Sequence, residues 1–405
     1  MKVIIIPQAV PRQIQPFGES VGEMPVLNQS LSDYQRALLA IVGLELVDTI
    51  PIDEPYFFIG EEVWCTETLL ESLLKQIPSE GCGRLRCTDE TWNLHMSSVL
   101  SNGSGYFRLG VCTDELPHDL SELPDWTIDW QLKDGDPIDM HPKMGHALRP
   151  IRTGPIMAFA VEHWCDVLRV NQLAILAKIE RVKWLWHQDP WWGKLWTVLA
   201  TLFKLRSLNA QTIARRIGTE GKGCKIHPTA VIEACEIGDN VEIGPYAVLR
   251  ASVIGDGAKI EEHATVNLSV IGEGARVARY AMINLCVLMK GAFVSRGGGF
   301  QMCLYGRNSF VAVDAVMLDL SFGKTIRVQD NQGEWIDTKQ HFVGVCVGHR
   351  AAIGNAVRLN YGVAIPNDAL LVANADELIT DASGAEPNLP ARVNEAHGVS
   401  VIRRK

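Results

Sequence analysis

Two histidines in the C-terminal half of the sequence, His263 and His349, are candidates for proton-transfer chemistry. Imidazole titrates near neutral pH, so a positioned histidine can take a proton from an attacking hydroxyl or amine. His263 lies 17 residues after Tyr246 and 17 residues before Tyr280, which predicts that the three rings stack. Such a stack can also be purely structural. His349 follows a glycine in the phrase "CVGHRAAIG" and is the second candidate for a catalytic base.

An internal repeat that begins near Cys224 positions these side chains. Aliphatic residues recur from Ile237 to Ile283 at steps of 6, 6, 5, 6, 6, 5, 6 and 6 residues. A helical period of about 3.6 cannot give this spacing, whereas a triangular coil with one inward aliphatic residue on each short side can. Glycine and an acidic residue follow every third step, as in "IGD" and "IGE", and suit the corners. The sequence therefore predicts stacked coils around a buried aliphatic column.

A second block of the repeat runs from Val347 to Leu371, with each inward aliphatic residue six positions after the last. Between the two blocks, residues 295–341 lose the spacing, which predicts an excursion from the coil. That segment contains the glycine-rich phrase "SRGGGF" and the turn-like phrase "QDNQGEW". Excursions of this kind often build functional sites, and a plain structural insertion is the alternative.

The repeat resembles the hexapeptide-repeat family, whose fold is a left-handed parallel β-helix. The phrase "IHPTAVI", from Ile226 to Ile232, is similar to the usual first coil of that family. The resemblance implies a homotrimer and acyl transfer from acetyl-CoA or another acyl-CoA, with His263 or His349 as the general base. The acceptor, a sugar or sugar-nucleotide-like molecule, would be held between subunits by Asn267, Asn284 and Gln301.

The histidine and cysteine spacings argue against a metal enzyme on this fold. Three histidines would have to converge on zinc, two of them close in sequence. His341 and His349 are eight residues apart, and only His397 lies within about 75 residues of either. Among the ten cysteines no CxxC pair occurs, and only Cys82 and Cys87 are close together. We therefore expect no metal and a set of reduced thiols.

A helix is predicted over residues 161–186, where apolar residues follow helical spacing. Asn171 lies on the apolar stripe and needs a hydrogen-bond partner there. The phrase "HWCDVLRVNQLAIL" in this helix resembles the connector between the two domains of sugar-phosphate nucleotidyltransferases. A second helix is predicted to start at Asp189-Pro190. Residues 184–207 are rich in tryptophan, so they could pack between domains or subunits, or contact a membrane surface peripherally.

The N-terminal phrase "MKVIIIPQAVPRQIQPFGE" resembles the first strand and phosphate loop of the same nucleotidyltransferase family. Arg12 falls at the loop arginine and is the substrate-binding candidate of this domain. Glu61 or Glu62 takes the place of the acid that follows a later strand. Glycines let backbone amides approach a triphosphate closely. Here the loop glycines are replaced by Pro7, Gln8 and Val10.

Two further family features are missing. The lysine that follows the loop aligns with Val21, so a positive charge is lost. The second metal-binding aspartate has no match in "GPIMAFAVEHW", just before the connector, and two carboxylates are needed to hold Mg²⁺. The sequence thus predicts a nucleotidyltransferase fold with a rebuilt phosphate loop.

The net charge of -9, from 38 basic and 47 acidic residues, argues against nucleic-acid binding. The N-terminal apolar run is too short for a secretory signal, and no stretch approaches the roughly 20 apolar residues of a membrane span. We therefore expect a cytoplasmic protein.

The predicted fold is a nucleotidyltransferase-like (Rossmann-like) α/β domain, a helical connector and a left-handed parallel β-helix. Their predicted bounds are 1–155, 156–222 and 223–373, with the excursion at 295–341 and a tail at 374–405. Three functions remain open at this point. The first is acyl-CoA-dependent acylation of a sugar-type acceptor. The second is a non-catalytic trimeric scaffold or nucleotide-sugar-sensing subunit, and the third is retained sugar-phosphate nucleotidyl transfer.

Overall fold

The computed structural model describes residues 1–8, 11–51, 54–77, 82–96, 98–100, 105–113, 115–133, 152–188, 218–373, 391–393 and 399–401. They form an N-terminal mixed sheet with helices, a long helix and a parallel β-solenoid of about 9 turns. This confirms the predicted fold class. The predicted helix after Asp189-Pro190 and most of the tail lie outside the described ranges. Within those ranges no helix combines the length and apolar character that a membrane crossing needs.

A six-stranded mixed sheet forms the core of the N-terminal unit. Its strands are β1 (Lys2–Ile6), β2 (Glu45–Leu46), β3 (Tyr56–Gly60), β4 (Gly83–Arg86), β5 (Tyr106–Cys112) and β6 (Asp125–Trp126). Their spatial order is β6-β4-β5-β3-β1-β2. Strands β1 and β3 are parallel neighbours, with Val3 opposite Phe57. The apolar run of β3 is buried throughout, as expected for a central strand of the sheet.

Three helices belong to this unit: α1 (Leu31–Val42), α2 (Glu67–Lys75) and α3 (Glu90–Met96). Helix α1 begins where the Ser30 hydroxyl accepts a hydrogen bond from the Asp33 N–H, and it ends at Gly43. Gly43 has a φ of 78°, which favours glycine. Shorter elements complete the unit: 3₁₀ turns at Val21–Glu23 and Leu120–Glu122, and paired strands Gln13–Ile14 with Glu19–Ser20, Pro25–Val26 with Gln29–Ser30, and Val63–Cys65 with Ala158–Ala160.

The solenoid has three faces of parallel strands. The first face consists of Thr219–Glu220, Glu236–Ile237, Val253–Ile254, Val270–Ile271, Val287–Leu288, Leu304–Tyr305, Cys346–Val347 and Ala364–Ile365. The second face consists of Lys225–Ile226, Glu242–Ile243, Lys259–Ile260, Arg276–Val277, Phe293–Val294, Phe310–Val311, Ala352–Ile353 and Leu370–Leu371. The third face consists of Val231–Glu233, Val248–Arg250, Thr265–Asn267, Met282–Asn284 and Gly299–Gln301, and Val316–Met317 pairs with Arg358–Leu359 in a further short sheet.

The register of these strands follows the repeat. Ile237 lies opposite Ile254, and Ile254 lies opposite Ile271, so identical repeat positions stack on one another. The inward residues are buried and form one continuous apolar cluster. At the corners, Gly257, Gly274 and Gly291 adopt φ between 62° and 68°, where a side chain would be strained. The predicted column and its corners are both present.

A second column inside the solenoid was not predicted. It stacks small polar side chains at one corner: Cys235, Ser252, Ser269, Cys286 and Cys303. The Ser269 hydroxyl donates to the Asn267 carbonyl at 2.6 Å and accepts from the Cys286 N–H at 3.0 Å. Each member therefore supplies hydrogen bonds that the buried corner backbone needs.

The excursion begins later than predicted. Strands Gly299–Gln301, Leu304–Tyr305, Phe310–Val311 and Val316–Met317 continue the coil through much of residues 295–341. The inward positions there include Phe300 and Tyr305, which are fully buried. A pattern built on aliphatic residues alone overlooked these aromatic rings. The chain leaves the coil only after Met317, forms a hairpin of Arg327–Gln329 with Trp335–Asp337, and returns at Cys346.

The connector is helix α4 (Trp164–Gln188), which starts three residues later than the predicted helix at 161–186. Its buried stripe shares one apolar cluster with the N-terminal unit and with outward residues of the first face, such as Val287 and Leu304. Asn171 has the partners that its position required. Its Oδ1 accepts from the Leu27 N–H at 2.8 Å, and its Nδ2 donates to the Pro25 carbonyl at 2.7 Å.

We expect Asn171→Ala to lower the free energy of unfolding by about 2 kcal/mol, because it leaves the Leu27 N–H and the Pro25 carbonyl buried without partners. Urea denaturation followed by circular dichroism measures the change. Val182→Ala is the control, since Val182 is 64% exposed on the same helix; its effect should stay within about 0.5 kcal/mol. Equal effects of the two substitutions would contradict the role of Asn171.

Candidate functional site

A cleft lies at the carboxyl ends of β1 and β3, where open α/β sheets usually bind ligands. Its volume is about 550 Å³. Charged and polar side chains lie on its floor, and its rim is largely apolar. The lining residues are Ile6, Pro7, Gln8, Arg12, Ile50, Glu62, Arg108, Leu116, Pro117, His118, Leu120 and Glu162.

The segment that follows β1 is held by the protein's own side chains. The Gln8 N–H donates to Glu61 Oε1 at 2.9 Å, and the Gln8 side-chain oxygen accepts from the Arg12 N–H at 3.2 Å. Pro7 has no N–H to offer. The Glu61 carboxylate thus binds the Gln8 N–H. In a phosphate-binding loop, a backbone N–H of this kind would be directed toward the phosphate.

Glu62 lies at the floor of the cleft, with its side chain 4% exposed. Its Oε2 accepts from Arg108 Nη1 at 2.9 Å, and Arg108 Nη2 donates to the Pro7 carbonyl at 2.6 Å. Burial raises the pKa of Glu62 to about 7, although the nearby Arg108 charge acts in the opposite direction. Arg108 therefore joins the floor of the cleft to the end of β1.

Glu162 closes the other side of the cleft and was missed by sequence reasoning. Its Oε1 accepts from Arg12 Nη1 at 3.2 Å. Comparison with the family had found no match for the second metal-binding aspartate in "GPIMAFAVEHW", although this phrase contains Glu162. The sequence feature that could have revealed Glu162 is its position directly before the connector helix. In the described part of the chain, no group of three or more His, Cys, Asp or Glu is arranged to hold a metal.

Buried side chains at the start of α4 fix the backbone of Glu162. Asp166 accepts from the Glu162 N–H at 3.0 Å and from the Ser98 hydroxyl at 2.7 Å. Burial raises the pKa of Asp166 to about 7. His163 Nε2 donates to the Gln329 carbonyl at 2.9 Å, and burial lowers the pKa of His163 to about 4. The segment before α4 that carries Glu162 is thus tied to the excursion hairpin.

His263 lies on an exposed corner of the solenoid. Its ring stacks between Tyr246 and Tyr280, with centroid distances of 5.1 and 5.0 Å. All three residues have φ between 57° and 62°, and both tyrosines are more than half exposed. Among the described residues, the ring nitrogens of His263 contact no carboxylate or carbonyl that would orient them. The predicted stack is present, and the orienting partner of a general base is not.

The three predicted acceptor-binding residues form a ladder on the third face. Asn267 lies opposite Asn284, and Asn284 lies opposite Gln301. Asn284 Nδ2 donates to Gln301 Oε1 at 3.3 Å. The Asn267 Oδ1 is buried and has no hydrogen-bond partner among the described residues. Part of the hydrogen-bonding capacity of the ladder is therefore used within it.

His349 is buried where the N-terminal unit meets the solenoid. Its Nδ1 accepts from the Arg307 N–H at 2.8 Å, and its Nε2 donates to Glu19 Oε1 at 3.3 Å. The Phe17 ring lies against the His349 ring at a tilt of 33°, with the ring centroids 4.7 Å apart. Burial would raise the pKa of Glu19, but hydrogen bonds from His349 and Arg307 lower it to about 2. Both ring nitrogens are thus engaged in joining the two units.

The comparison with protein families identifies the solenoid. Residues 219–331 match the GMPPB C-terminal domain. This is the left-handed β-helix domain of sugar nucleotidyltransferases, so the recognition from sequence is confirmed for this domain. The chain therefore carries a hexapeptide-repeat β-helix of a transferase type.

No curated protein sequence matches the chain significantly. A solved structure, described as the polysialic acid O-acetyltransferase OatWY, matches with 15% sequence identity. The match covers 46% of this chain and 87% of that chain, with a TM-score of 0.13. A likeness this low carries no argument about activity.

The predicted site residues lie in four different places. Arg12 lines the N-terminal cleft, His349 lies at the junction between the units, and His263 lies on an exposed corner. Asn267, Asn284 and Gln301 follow the third face. The charged side chains of the cleft form two arginine–glutamate pairs, Arg12 with Glu162 and Arg108 with Glu62.

The pKa of Glu62 predicts a pH-dependent stability. Its folded-state pKa of about 7 lies above the ordinary value of 4.5, so this contribution to stability is present in acid and is lost as the pH rises through 7. We expect Glu62→Gln to gain about 2 kcal/mol relative to the unsubstituted protein between pH 5 and pH 8. Asp166 titrates in both proteins and cancels in the difference. Urea denaturation at four pH values measures it, and a constant difference would contradict the burial of the charge.

Proposed function

We propose that the protein is a non-catalytic, nucleotidyltransferase-like subunit that binds a nucleotide sugar in the N-terminal cleft. The proposal includes assembly of copies through the β-helix into homotrimers, the state typical of β-helix transferases, and a cytoplasmic location, where nucleotide sugars are made. The observation that carries it is the cleft at the ends of β1 and β3, which keeps two arginine–glutamate pairs while its loop amide is bound by Glu61.

Nucleotidyl transfer is disfavoured by the charges in the cleft. A reacting triphosphate needs backbone amides and cations around it. Here Glu61, Glu62 and Glu162 face Arg12 and Arg108, and the amide of Gln8 is already bound. A triphosphate placed on this loop would meet carboxylates in place of donors.

A sugar is a better match for the floor of the cleft. Paired carboxylates and guanidinium groups offer acceptors and donors side by side, which suits the hydroxyls of a pyranose. Ile6, Ile50 and Leu120 at the rim can cover the apolar faces of the sugar or base. Arg12 is 46% exposed and keeps donors for a diphosphate at the mouth. This places the sugar at Glu62 and the diphosphate near Arg12.

A second candidate function is acylation of a sugar-type acceptor from acyl-CoA. The observation that favours it is His263, whose exposed ring has no hydrogen bond among the described residues and could serve a cleft formed with another subunit. The contacts of both ring nitrogens of His349 favour His263 over His349 for this role. Asn267, Asn284 and Gln301 would hold the acceptor in this alternative.

Isothermal titration with UDP-glucose, GDP-mannose and acetyl-CoA separates the two functions. We expect a nucleotide sugar to bind and Arg12→Ala to weaken it about tenfold or more, because a charged donor is removed. Arg36→Ala is the matched control, since Arg36 is 61% exposed on α1. Binding of acetyl-CoA alone, lost in His263→Ala and kept in Arg12→Ala, would refute the first function and establish the second.

A further inference from the structure

Two cysteines far apart in sequence meet in the N-terminal sheet. Cys82 immediately precedes β4 and Cys112 ends β5. The two strands are antiparallel, with Gly83 opposite Val111, so the next pair along the sheet is Cys82 and Cys112. Their Sγ atoms lie 3.5 Å apart. The sequence had drawn attention to Cys82 and Cys87, and Cys87 is instead buried elsewhere in the core.

The backbone arrangement suits a bond between these sulfurs. Directly opposed residues of an antiparallel pair have Cα atoms roughly 4.5–5.5 Å apart, within the range that a disulfide spans. Cys112 is 2% exposed, and Cys82 is partly exposed at the edge of its cluster. Cys82 is therefore the more solvent-accessible of the two residues.

The surroundings favour Cys82 as the sulfur that reacts first. The Thr113 N–H donates to Cys82 Sγ at 3.4 Å, and the Thr113 hydroxyl lies 3.4 Å from the same sulfur. Donors aimed at a sulfur stabilise its thiolate, which is the reactive form. Cys112 then lies next to it as the resolving thiol.

A second pair of neighbouring cysteines, Cys286 and Cys303, has no partly exposed member. Cys286 and Cys303 stack inside the β-helix, where the Cys303 N–H donates to Cys286 Sγ at 3.4 Å. Both are fully buried, and burial raises the pKa of Cys286 well above its ordinary value. The chain thus provides an internal comparison between an accessible pair and a sealed one.

We propose that Cys82 and Cys112 form a reversible disulfide when the protein meets a hydroperoxide. The Cys82 thiolate attacks the peroxide, the O–O bond breaks, and one oxygen remains on sulfur as a sulfenic acid while the other leaves as an alcohol or water. Cys112 then attacks that sulfur, and water leaves as the S–S bond forms. Two thiols are oxidised, and one peroxide is reduced.

The bond would act on the wall of the ligand cleft. Cys82 and Cys112 belong to the small apolar cluster that also contains Leu116 and Leu120, and both leucines line the cleft. The chain runs from Cys112 into this wall within a few residues. Oxidation would therefore restrain the segment that covers one side of the cleft. This modification does not depend on which ligand the cleft binds.

The test treats the intact, folded protein with hydrogen peroxide, blocks the remaining thiols and maps the peptides by mass spectrometry without reduction. We expect one linked peptide pair, Cys82 with Cys112, the loss of two titratable thiols, and full recovery with dithiothreitol. In Cys286→Ser the same link should form at the same rate. In Cys82→Ser neither the link nor the sulfenic acid at that position should form.

Several results would overturn the proposal: no linked pair in the folded protein, a link between Cys286 and Cys303 in its place, or oxidation that dithiothreitol does not reverse. The mapping of the unsubstituted protein alone decides the first and second outcomes, so the proposal remains testable even if Cys82→Ser fails to fold.

Discussion

The buried column of the β-helix is the constraint on which the remaining structure depends. One inward residue every five or six positions forces a corner after each short strand, and the corners adopt left-handed backbone angles at Gly257, Gly274 and Gly291. Each coil buries little apolar area alone and becomes stable only by stacking. Outward side chains are then displayed at fixed spacing on three faces. The different composition of these faces decides what each can contact.

The first face of the β-helix is apolar on its outer side, and the N-terminal unit packs against it for this reason. Val270, Val287 and Leu304 point away from the column into the cluster that contains α4. The second face instead carries ion pairs between stacked strands, such as Lys225 with Glu242 at 3.0 Å. Polar contacts between the N-terminal unit and the β-helix add to this apolar packing. Asn28 Nδ2 donates to the Ile271 carbonyl at 2.9 Å, and Arg307 Nη2 donates to Glu19 Oε2 at 2.9 Å. Helix α4 and the segment before it are thus held against the β-helix.

Within that frame the cleft is neutralised by its own side chains. The loop after β1 is bound by Glu61 and Arg108, and Glu162 is set by Asp166. A site of this kind needs no phosphate to balance its charges, unlike a loop of bare amides. The contacts of Pro7, Gln8 and Arg12 therefore hold the described part of this loop without the family's glycines.

The sequence predicted what local spacing determines. The repeat, the corner residues, the connector helix and the need of Asn171 for a hydrogen-bond partner could all be derived from local spacing and residue type. What could not be derived depends on residues brought together by tertiary structure. Nothing near His349 in sequence indicates that Phe17 and Glu19 cover it, and nothing near Cys82 indicates Cys112. The excursion was placed too early because Phe300 and Tyr305 keep the coil spacing with aromatic rings.

The most direct test of the account is a crystal structure of the protein soaked with a nucleotide sugar. The account predicts density for the sugar beside Glu62 and Arg108 and for the diphosphate beside Arg12, with the Gln8 N–H still bound to Glu61. Density along the Tyr246–His263–Tyr280 stack with an empty N-terminal cleft would contradict it. So would a ligand phosphate seated on the Gln8 N–H in place of Glu61.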